Sequence, residues 1–102
     1  MPKSKYSIRL LALAEQDFSE IIEYILAENP SAALAVAEEI EHQLKLLESN
    51  PNLGRIPNEE DLQKLGYRYL VVRNYLIFYK FEGQTIWVYR ILHGARDYKP
   101  LL

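Results

Sequence analysis

Two stretches of helical spacing, separated by a single proline, constrain the fold of this chain more than any other feature. Apolar residues recur every three or four positions from Ala14 to Leu26 and again from Ala33 to Leu47, with acidic residues between them. Pro30 disfavours helical geometry at the residue before it, so the first helix is expected to stop near Asn29. The second helix then begins at once, with Ser31 as its N-cap or Pro30 in its first turn. So short a connection predicts two antiparallel helices, a helical hairpin.

The rest of the chain has the alternation and composition of strands. Residues 6–10 alternate apolar and polar side chains, and β-branched and aromatic residues dominate three later segments joined by tight turns. These segments are Tyr67 to Val72, Tyr75 to Phe81 and Thr85 to His93. Consecutive strands joined by tight turns are antiparallel, whereas the sequence leaves the partner of the first strand open. Residues 52–66 are expected to form a loop with one turn of helix at Asp61 to Leu65.

The predicted fold is therefore α+β, with the order β-α-α-β-β-β and the helical hairpin packed on one face of an antiparallel sheet, because the hairpin's apolar stripes have nothing else to cover. At 102 residues, a single domain is expected. No apolar run has the length of a transmembrane helix, residues 1–6 do not resemble a secretory signal, and cysteine is absent. These features predict a cytoplasmic protein. No spacing of histidines, acids or glycines indicates a metal, a cofactor or a small-molecule ligand.

Charge is unevenly distributed along the chain. The formal net charge is −2, but residues 1–51 carry four Lys or Arg against nine acids, and residues 52–102 carry eight against five. One interpretation is that a face of the protein meets an anionic or acidic partner. The other is that acids on the helices and bases on the strands are merely solvated, since surface charge contributes little to stability.

A group of polar side chains at the end of the last predicted strand provides the candidates for a functional site. Arg90, His93, Arg96 and Tyr98 follow one another closely there, and Arg68 begins a neighbouring strand. Strand ends that run into loops commonly carry function on a rigid scaffold. Arginines could stabilise the charge that develops on a phosphodiester, and His93 or Tyr98 could move protons. These five residues are catalytic candidates for a nuclease, and the three arginines with His93 are expected to form one exposed cationic surface.

Several of these candidates also have a purely structural interpretation. Arg90 or Arg68 could anchor a buried carboxylate, and Asp97 could pair with Arg96. The second histidine, His42, lies off the apolar stripe of its helix and is expected to be a solvated surface residue.

A series of short segments runs from one end of the chain to the other. The segments are the strand Tyr6 to Leu10, Ala14-Glu15-Gln16-Asp17-Phe18, Tyr24-Ile25 with Asn29-Pro30 and Ala33, Leu47 with Pro51 and Gly54-Arg55, Gly66-Tyr67-Arg68, Tyr75-Leu76-Ile77-Phe78-Tyr79, and Arg90-Ile91-Leu92-His93-Gly94 with Arg96-Asp97. In this order and spacing they resemble the RelE/ParE superfamily, the toxins of bacterial type II toxin–antitoxin systems.

The resemblance implies a growth-inhibiting toxin, of the kind that serves in plasmid stabilisation, which a cognate antitoxin protein wraps and neutralises. Some apolar surface is then expected to remain exposed on the toxin alone. The resemblance also implies one of two targets. RelE-like members cut mRNA on the ribosome with basic residues on the sheet, whereas ParE-like members block DNA gyrase and have no known catalytic centre.

The sequence favours the ParE-like branch. Where RelE-like enzymes resemble one another in a lysine- and arginine-rich sheet, this chain has the apolar stretches Tyr69 to Val72 and Tyr75 to Ile77. A pI of about 5.7 is low for a protein that must dock on ribosomal RNA. Inhibition of DNA gyrase is the preferred function. Ribosome-dependent mRNA cleavage, with His93 and Tyr98 as an acid–base pair, is one alternative, and a degenerate, non-toxic binding partner is another.

Overall fold

The computed structural model describes residues 5–102 and shows the predicted order of helices and strands. The elements are β1 (Ser7–Leu10), α1 (Ala12–Leu26), α2 (Pro30–Leu47), α3 (Glu60–Lys64), β2 (Arg68–Val72), β3 (Tyr75–Glu82), β4 (Thr85–His93) and a short 3-10 helix, the C-terminal turn (Lys99–Leu101). The turn of helix expected in the long loop is α3, and the C-terminal turn adds to the predicted elements. The expectation for residues 1–6 concerns in part residues 1–4, which lie outside the described residues.

The four strands form one mixed sheet in the order β1-β4-β3-β2. The antiparallel prediction is confirmed for β2, β3 and β4, and β1, whose partner the sequence left open, lies parallel to β4. Parallel strands need a long crossover connection. The helical hairpin is part of the long connection between β1 and β4. Its two helices, α1 and α2, pack on one face of the sheet, as predicted.

The connection between the two helices follows from an asparagine and a proline. The Asn29 side chain accepts a hydrogen bond from the backbone N–H of Ala32 at 3.1 Å, which caps α2. Pro30 occupies the first turn, where its missing N–H costs no hydrogen bond. Of the two predicted starts, the one with Pro30 in the first turn is confirmed, and Ser31 lies inside the helix. The first helix ends at Leu26, slightly earlier than expected.

Apolar side chains pack on both faces of the sheet. Toward α1 and α2 lies the hairpin-side core, which includes the fully buried Ile40, Ile77 and Ile86. The opposite face carries a smaller cluster, the outer core, formed by Leu62, Tyr67, Phe78 and Leu92. Residues of the C-terminal turn pack against the outer core. The second face of the sheet is therefore partly covered as well, whereas the sequence predicted packing on one face only.

A β-bulge in β4 sets the geometry of the region where the candidate residues lie. Phe78 pairs with Arg90, whereas the next residue, Tyr79, pairs with Val88, so Tyr89 is the extra residue. A bulge increases the local twist and re-aims neighbouring side chains. It lies where β1 stops, because β1 pairs with β4 only as far as Val88. Beyond that point β3 still pairs with one edge of β4, and α1 lies against the edge that β1 has left.

Candidate functional site

An aspartate of α1 lies against the part of β4 that β1 does not reach. Asp17 is 9% exposed, and its Oδ2 accepts the backbone N–H of Ile91 at 3.0 Å. The same carboxylate accepts two hydrogen bonds from Arg90, one from Nε at 2.7 Å and one from Nη2 at 2.8 Å. This bidentate geometry is the strong form of an arginine–carboxylate pair. The carboxylate therefore supplies β4 with the acceptor that a neighbouring strand would otherwise provide.

Arg90 is held inside the fold by these contacts. Its side chain is 15% exposed, and its Nη1 donates to the carbonyl oxygen of Leu101 at 3.3 Å. The hydrogen bonds to Asp17 raise the pKa of the guanidinium above its ordinary value, although burial acts in the opposite direction. The structure thus shows the anchoring of a buried carboxylate that the sequence allowed for this arginine.

Arg68 lies elsewhere on the sheet. It pairs with Tyr79, whereas His93 pairs with Tyr75, four residues away along β3. Its Nη1 donates to the carbonyl oxygen of Gly54 at 3.0 Å, in the loop that follows α2. The structure therefore does not bring Arg68 to the end of β4, and the candidate arginines do not form one surface with His93.

His93 and Arg96 do come together, in a cavity of about 580 Å³ at the end of β4. The remaining lining comes from α1, from the turn between β2 and β3, and from β3 and β4. These lining residues are Asp17, Glu20, Ile21, Tyr24, Asn74, Tyr75, Ile91 and Leu92. Among residues 5–102, Arg96 forms no ion pair, so the pairing with Asp97 that the sequence allowed is not seen.

The imidazole of His93 has a defined orientation in this cavity. Its Nδ1 accepts the backbone N–H of Ala95 at 3.1 Å, and its ring lies edge-on to Tyr75 with centroids 5.6 Å apart. Because Nδ1 accepts a hydrogen bond, the neutral imidazole carries its proton on Nε2. His93 can therefore donate from Nε2 to a bound group.

Tyr98 packs on the other side of the sheet. Its ring lies against Phe78 of the outer core, with centroids 4.9 Å apart, and its hydroxyl donates to Oε2 of Glu59 at 2.8 Å. That hydrogen bond, with burial, raises the pKa of Tyr98 to about 12. The phenol is protonated at neutral pH and is engaged with Glu59. His93 and Tyr98 are not partners in this structure.

The importance of Asp17 was not predicted from the sequence. This residue follows Ala14 by three positions and precedes Phe18, so it lies on the apolar stripe of α1. An unpaired carboxylate on a buried stripe is costly, and its presence there indicates a buried cationic partner. Arg90 is that partner, and the pattern of one acid in an apolar stripe was the signal for it.

The arrangement at the end of β4 is better suited to binding than to a chemical step. His93 and Arg96 supply hydrogen-bond donors to one cavity, which also contains the carboxylates of Asp17 and Glu20, so the lining suits a polar group. Within residues 5–102, no cluster of three or more His, Asp or Glu side chains could hold a metal ion. In the same part of the chain, no helix has the length and apolar character needed to cross a membrane.

Comparison with known proteins identifies the family. The sequence matches the family described as the ParE toxin of the type II toxin–antitoxin system, parDE, over residues 8–98. The fold is similar to a chain of the chromosomal ParDE toxin–antitoxin system from P. aeruginosa, with a TM-score of 0.71, 22% sequence identity, and coverage of 89% of this chain and 98% of that chain. It is also similar to a chain of the RelBE2 toxin–antitoxin complex from Mycobacterium tuberculosis, with a TM-score of 0.59, 21% identity, and coverage of 87% and 98%. No curated protein sequence matches closely enough to count as a relative.

The match to the ParE family spans most of the chain, and the two similar structures have the same arrangement of helices and sheet. The resemblance that the sequence showed is confirmed at the level of the superfamily. This chain belongs to the ParE toxin family and is the toxin of a type II toxin–antitoxin system.

Proposed function

We propose that this toxin inhibits DNA gyrase and does not itself cleave RNA. The placement of the five nuclease candidates supports the proposal, because only His93 and Arg96 share a cavity. Arg90 and Tyr98 are each held by a carboxylate, and Arg68 is bound to the loop after α2. Cleavage of a phosphodiester needs proton transfer and charge stabilisation at one phosphate. Inhibition by binding needs only a complementary surface.

In this proposal the cavity at the end of β4 is part of the surface that contacts gyrase. Arg96 is exposed there, and Tyr24, which lines the same cavity, is 72% exposed. Arginine and tyrosine are among the residue types that contribute most to binding energy at protein interfaces. Arg96 and Tyr24 are therefore the residues we expect to anchor the contact.

We further propose a cognate antitoxin as the second partner. Three large apolar side chains near the connection between α1 and α2, the hairpin patch, are exposed by more than half: Tyr24 by 72%, Leu26 by 51% and Leu34 by 62%. Large apolar side chains that are exposed to this extent are candidates for contact with a protein partner. The two similar solved structures come from toxin–antitoxin systems. We therefore propose that the antitoxin covers this patch and that both proteins are cytoplasmic.

One experiment separates the two targets. Purified gyrase is assayed for DNA supercoiling with and without the toxin, and cellular mRNA is mapped by primer extension after the toxin is induced. We expect supercoiling to stop while mRNA stays intact. Arg96→Gln should weaken the inhibition, whereas Lys45→Gln, which neutralises a cation on α2, should not.

Ribosome-dependent RNA cleavage remains the second candidate, because Nε2 of His93 can donate into the cavity that also holds Arg96. New mRNA ends that appear on induction and vanish with His93→Ala would establish it, since loss of a general acid or base lowers a rate by about 10²–10⁴-fold. That result would overturn the gyrase proposal. A toxin that affects neither process would instead be the degenerate binding partner.

A further inference from the structure

A second surface lies on the face of the sheet opposite the helical hairpin, away from the cavity at the end of β4. Arg9 of β1 pairs with Trp87 of β4, and Trp87 pairs with Lys80 of β3. The neighbours of each residue along its strand pack in the hairpin-side core. Because successive side chains of a strand point to opposite faces, these three side chains form a row across the outer face.

Two tyrosine rings extend this row. The Nζ of Lys80 lies 4.5 Å from the ring centroid of Tyr67 and 4.9 Å from that of Tyr89. The rings meet edge to face, with centroids 5.3 Å apart. Tyr89 is the extra residue of the β-bulge, and bulges are often found where a side chain is re-aimed for function. We call Arg9, Trp87, Lys80, Tyr89 and Tyr67 the platform.

The indole of Trp87 is the least explained part of the platform. Trp87 is the single tryptophan of the chain, and within residues 5–102 it belongs to neither the hairpin-side core nor the outer core. It remains only partly buried between two cationic neighbours. A large ring that stabilises no core and lies between cations is suited to stacking on a planar ligand.

The charges of the molecule favour an anionic ligand on this face. Residues 12–47, which contain the hairpin, carry eight acids against one lysine. Arg9 and Lys80, in contrast, form no ion pair within the described part of the chain. The acidic hairpin therefore repels an anion, and Arg9 and Lys80 supply positive charge at the platform, whose face also carries Glu82 at the end of β3.

The platform also borders a cavity. A space of about 290 Å³ lies beside Tyr67 and Tyr89 and is otherwise lined mainly by apolar side chains of residues 11–13 and 101–102. A nucleobase is planar and apolar on its faces, and it is joined to a phosphate. A polyanion without rings would use the two cations but neither the indole nor this cavity.

We propose that the platform binds single-stranded DNA, with phosphates beside Arg9 and Lys80 and bases stacked on Trp87 and Tyr89. Alternating cations and aromatic rings are the usual means by which proteins bind single strands without reading their sequence. The choice of DNA over RNA rests on the proposed inhibition of gyrase, whose substrate is DNA.

Trp87 provides a direct measurement, because its fluorescence reports on the platform alone. The full-length toxin is titrated with an oligothymidylate of about 10 nucleotides, a length within the range that single domains bind. We expect the emission of Trp87 to be quenched as the oligonucleotide binds. The same sequence as RNA, a duplex of the same length and polyglutamate of matched charge are titrated in parallel, and DNA single strands should bind more tightly than each of them.

The variants are compared by the anisotropy of a labelled oligonucleotide, which does not depend on Trp87. With two phosphate contacts, the logarithm of the binding constant should fall with the logarithm of salt concentration with a slope of about −1.4. Arg9→Gln and Lys80→Gln should each bring that slope nearer zero by about 0.7, and Lys45→Gln on α2 should leave it unchanged. Trp87→Ala should weaken binding between about five- and a hundred-fold. If Lys80→Gln lowers the unfolding midpoint, the comparison rests on Arg9→Gln, because Arg9 is exposed.

The results that overturn the proposal are distinct from those that overturn gyrase inhibition. Binding is measured without gyrase, so an absent quench with intact inhibition of supercoiling rejects only the DNA surface. Equal quenching by polyglutamate would identify the platform as a site for an acidic protein. Tighter binding of RNA, or of the duplex, would also reject single-stranded DNA as the ligand.

Discussion

At the scale of single residues, the Asp17–Arg90 pair joins parts of the chain that are far apart in sequence. One carboxylate from α1 binds the side chain of Arg90 and the backbone of Ile91 in β4. Arg90 in turn contacts Leu101 in the C-terminal turn. The pair thus fixes the position of α1 against the sheet, and the residue that looked catalytic in the sequence contributes to the fold.

Removing this carboxylate should be costly. Asp17→Ala leaves a buried guanidinium without its partner and the N–H of Ile91 without an acceptor, so we expect a loss of about 3–5 kcal/mol in the free energy of unfolding. Asp17→Asn keeps an acceptor oxygen and should cost less. The measurement is urea unfolding. Glu39→Gln, which breaks the exposed bidentate pair with Arg73, is the control, and an equal effect of the two substitutions would contradict the argument.

Because of the Tyr98 hydroxyl, we expect the free energy of unfolding to fall as the pH rises into the alkaline range. Its hydrogen bond to Glu59 raises the pKa to about 12 from an ordinary value of 10.0. The folded chain therefore holds this proton more tightly than the unfolded chain does, and the contribution is complete below pH 10 and lost as pH rises toward 12. Between these pH values, the urea midpoint of Tyr98→Phe should therefore fall less steeply than that of the wild type. Tyr24→Phe, at a 72% exposed position, should behave as wild type, and parallel curves for Tyr98→Phe would exclude this role.

At the scale of elements, one buried tyrosine attaches the long loop after α2 to the sheet. The hydroxyl of Tyr79 donates to the carbonyl oxygen of Pro51 at 2.7 Å and accepts the N–H of Gly54 at 2.9 Å. Tyr79 is fully buried. A Cβ on Gly54 would lie 2.6 Å from the Tyr79 ring and hydroxyl, so only glycine permits this close approach.

Loss of that hydroxyl should loosen the loop. Tyr79→Phe leaves two backbone groups without a partner, and we expect a cost of about 1–3 kcal/mol in the free energy of unfolding. The rate of hydrogen exchange at the backbone amides of residues 51–55 should also rise in this variant. Tyr69→Phe, in a ring that is only partly buried, is the matched control. An unchanged exchange rate would contradict this role of Tyr79 and would show that the hydrogen bond from Arg68 is sufficient to hold the loop.

The sequence predicted the elements well, because each one depends on a local pattern. The Asn29-Pro30 signal located the helix connection, and the alternation from Arg90 to His93 assigned the end of β4. The partner of β1 could not be predicted, because parallel pairing with residues 85–88 depends on contacts across nearly the whole chain. The bulge at Tyr89 was also hidden, since residues 86–89 are all apolar or aromatic and the alternation shows no change of phase there.

The candidate site was less predictable than the elements. Nearness in sequence grouped Arg90, His93, Arg96 and Tyr98, yet only His93 and Arg96 line one cavity. The bulge, the turn at Gly94 and the return of the C-terminal turn across the outer core separate the others. Such separations depend on three-dimensional packing, which spacing along a chain does not record.

At the scale of the whole molecule, the uneven charge of the sequence becomes a difference between two faces. The hairpin carries most of the acids, and three of the cations of the second half are used in ion pairs: Arg73 with Glu39, Arg90 with Asp17, and Lys99 with Asp61. Some charges stabilise the fold locally, and the platform retains cations that face away from the acidic helices.

The hairpin patch leads to a prediction for the intact toxin and its antitoxin. Leu34 is 62% exposed, so Leu34→Gln should leave the unfolding midpoint nearly unchanged. If the antitoxin covers this patch, the substitution should weaken the complex by about tenfold or more, as for other central apolar contacts. Calorimetry of the purified pair measures this. Leu46→Gln, which lies at the other end of α2 and is 39% exposed, is the control, and equal losses of affinity would place the antitoxin elsewhere.

The parallel pairing of β1 with β4 has a consequence for synthesis of the toxin. Thr85, the partner of Ser7, is synthesised only after the helices and the strands β2 and β3. Until then β1 has no neighbour, and the apolar stripe of α1 has no sheet to pack on, so contacts of high sequence separation must close last. The native sheet, and the surfaces that are built on it, can therefore form only after β4 has been synthesised.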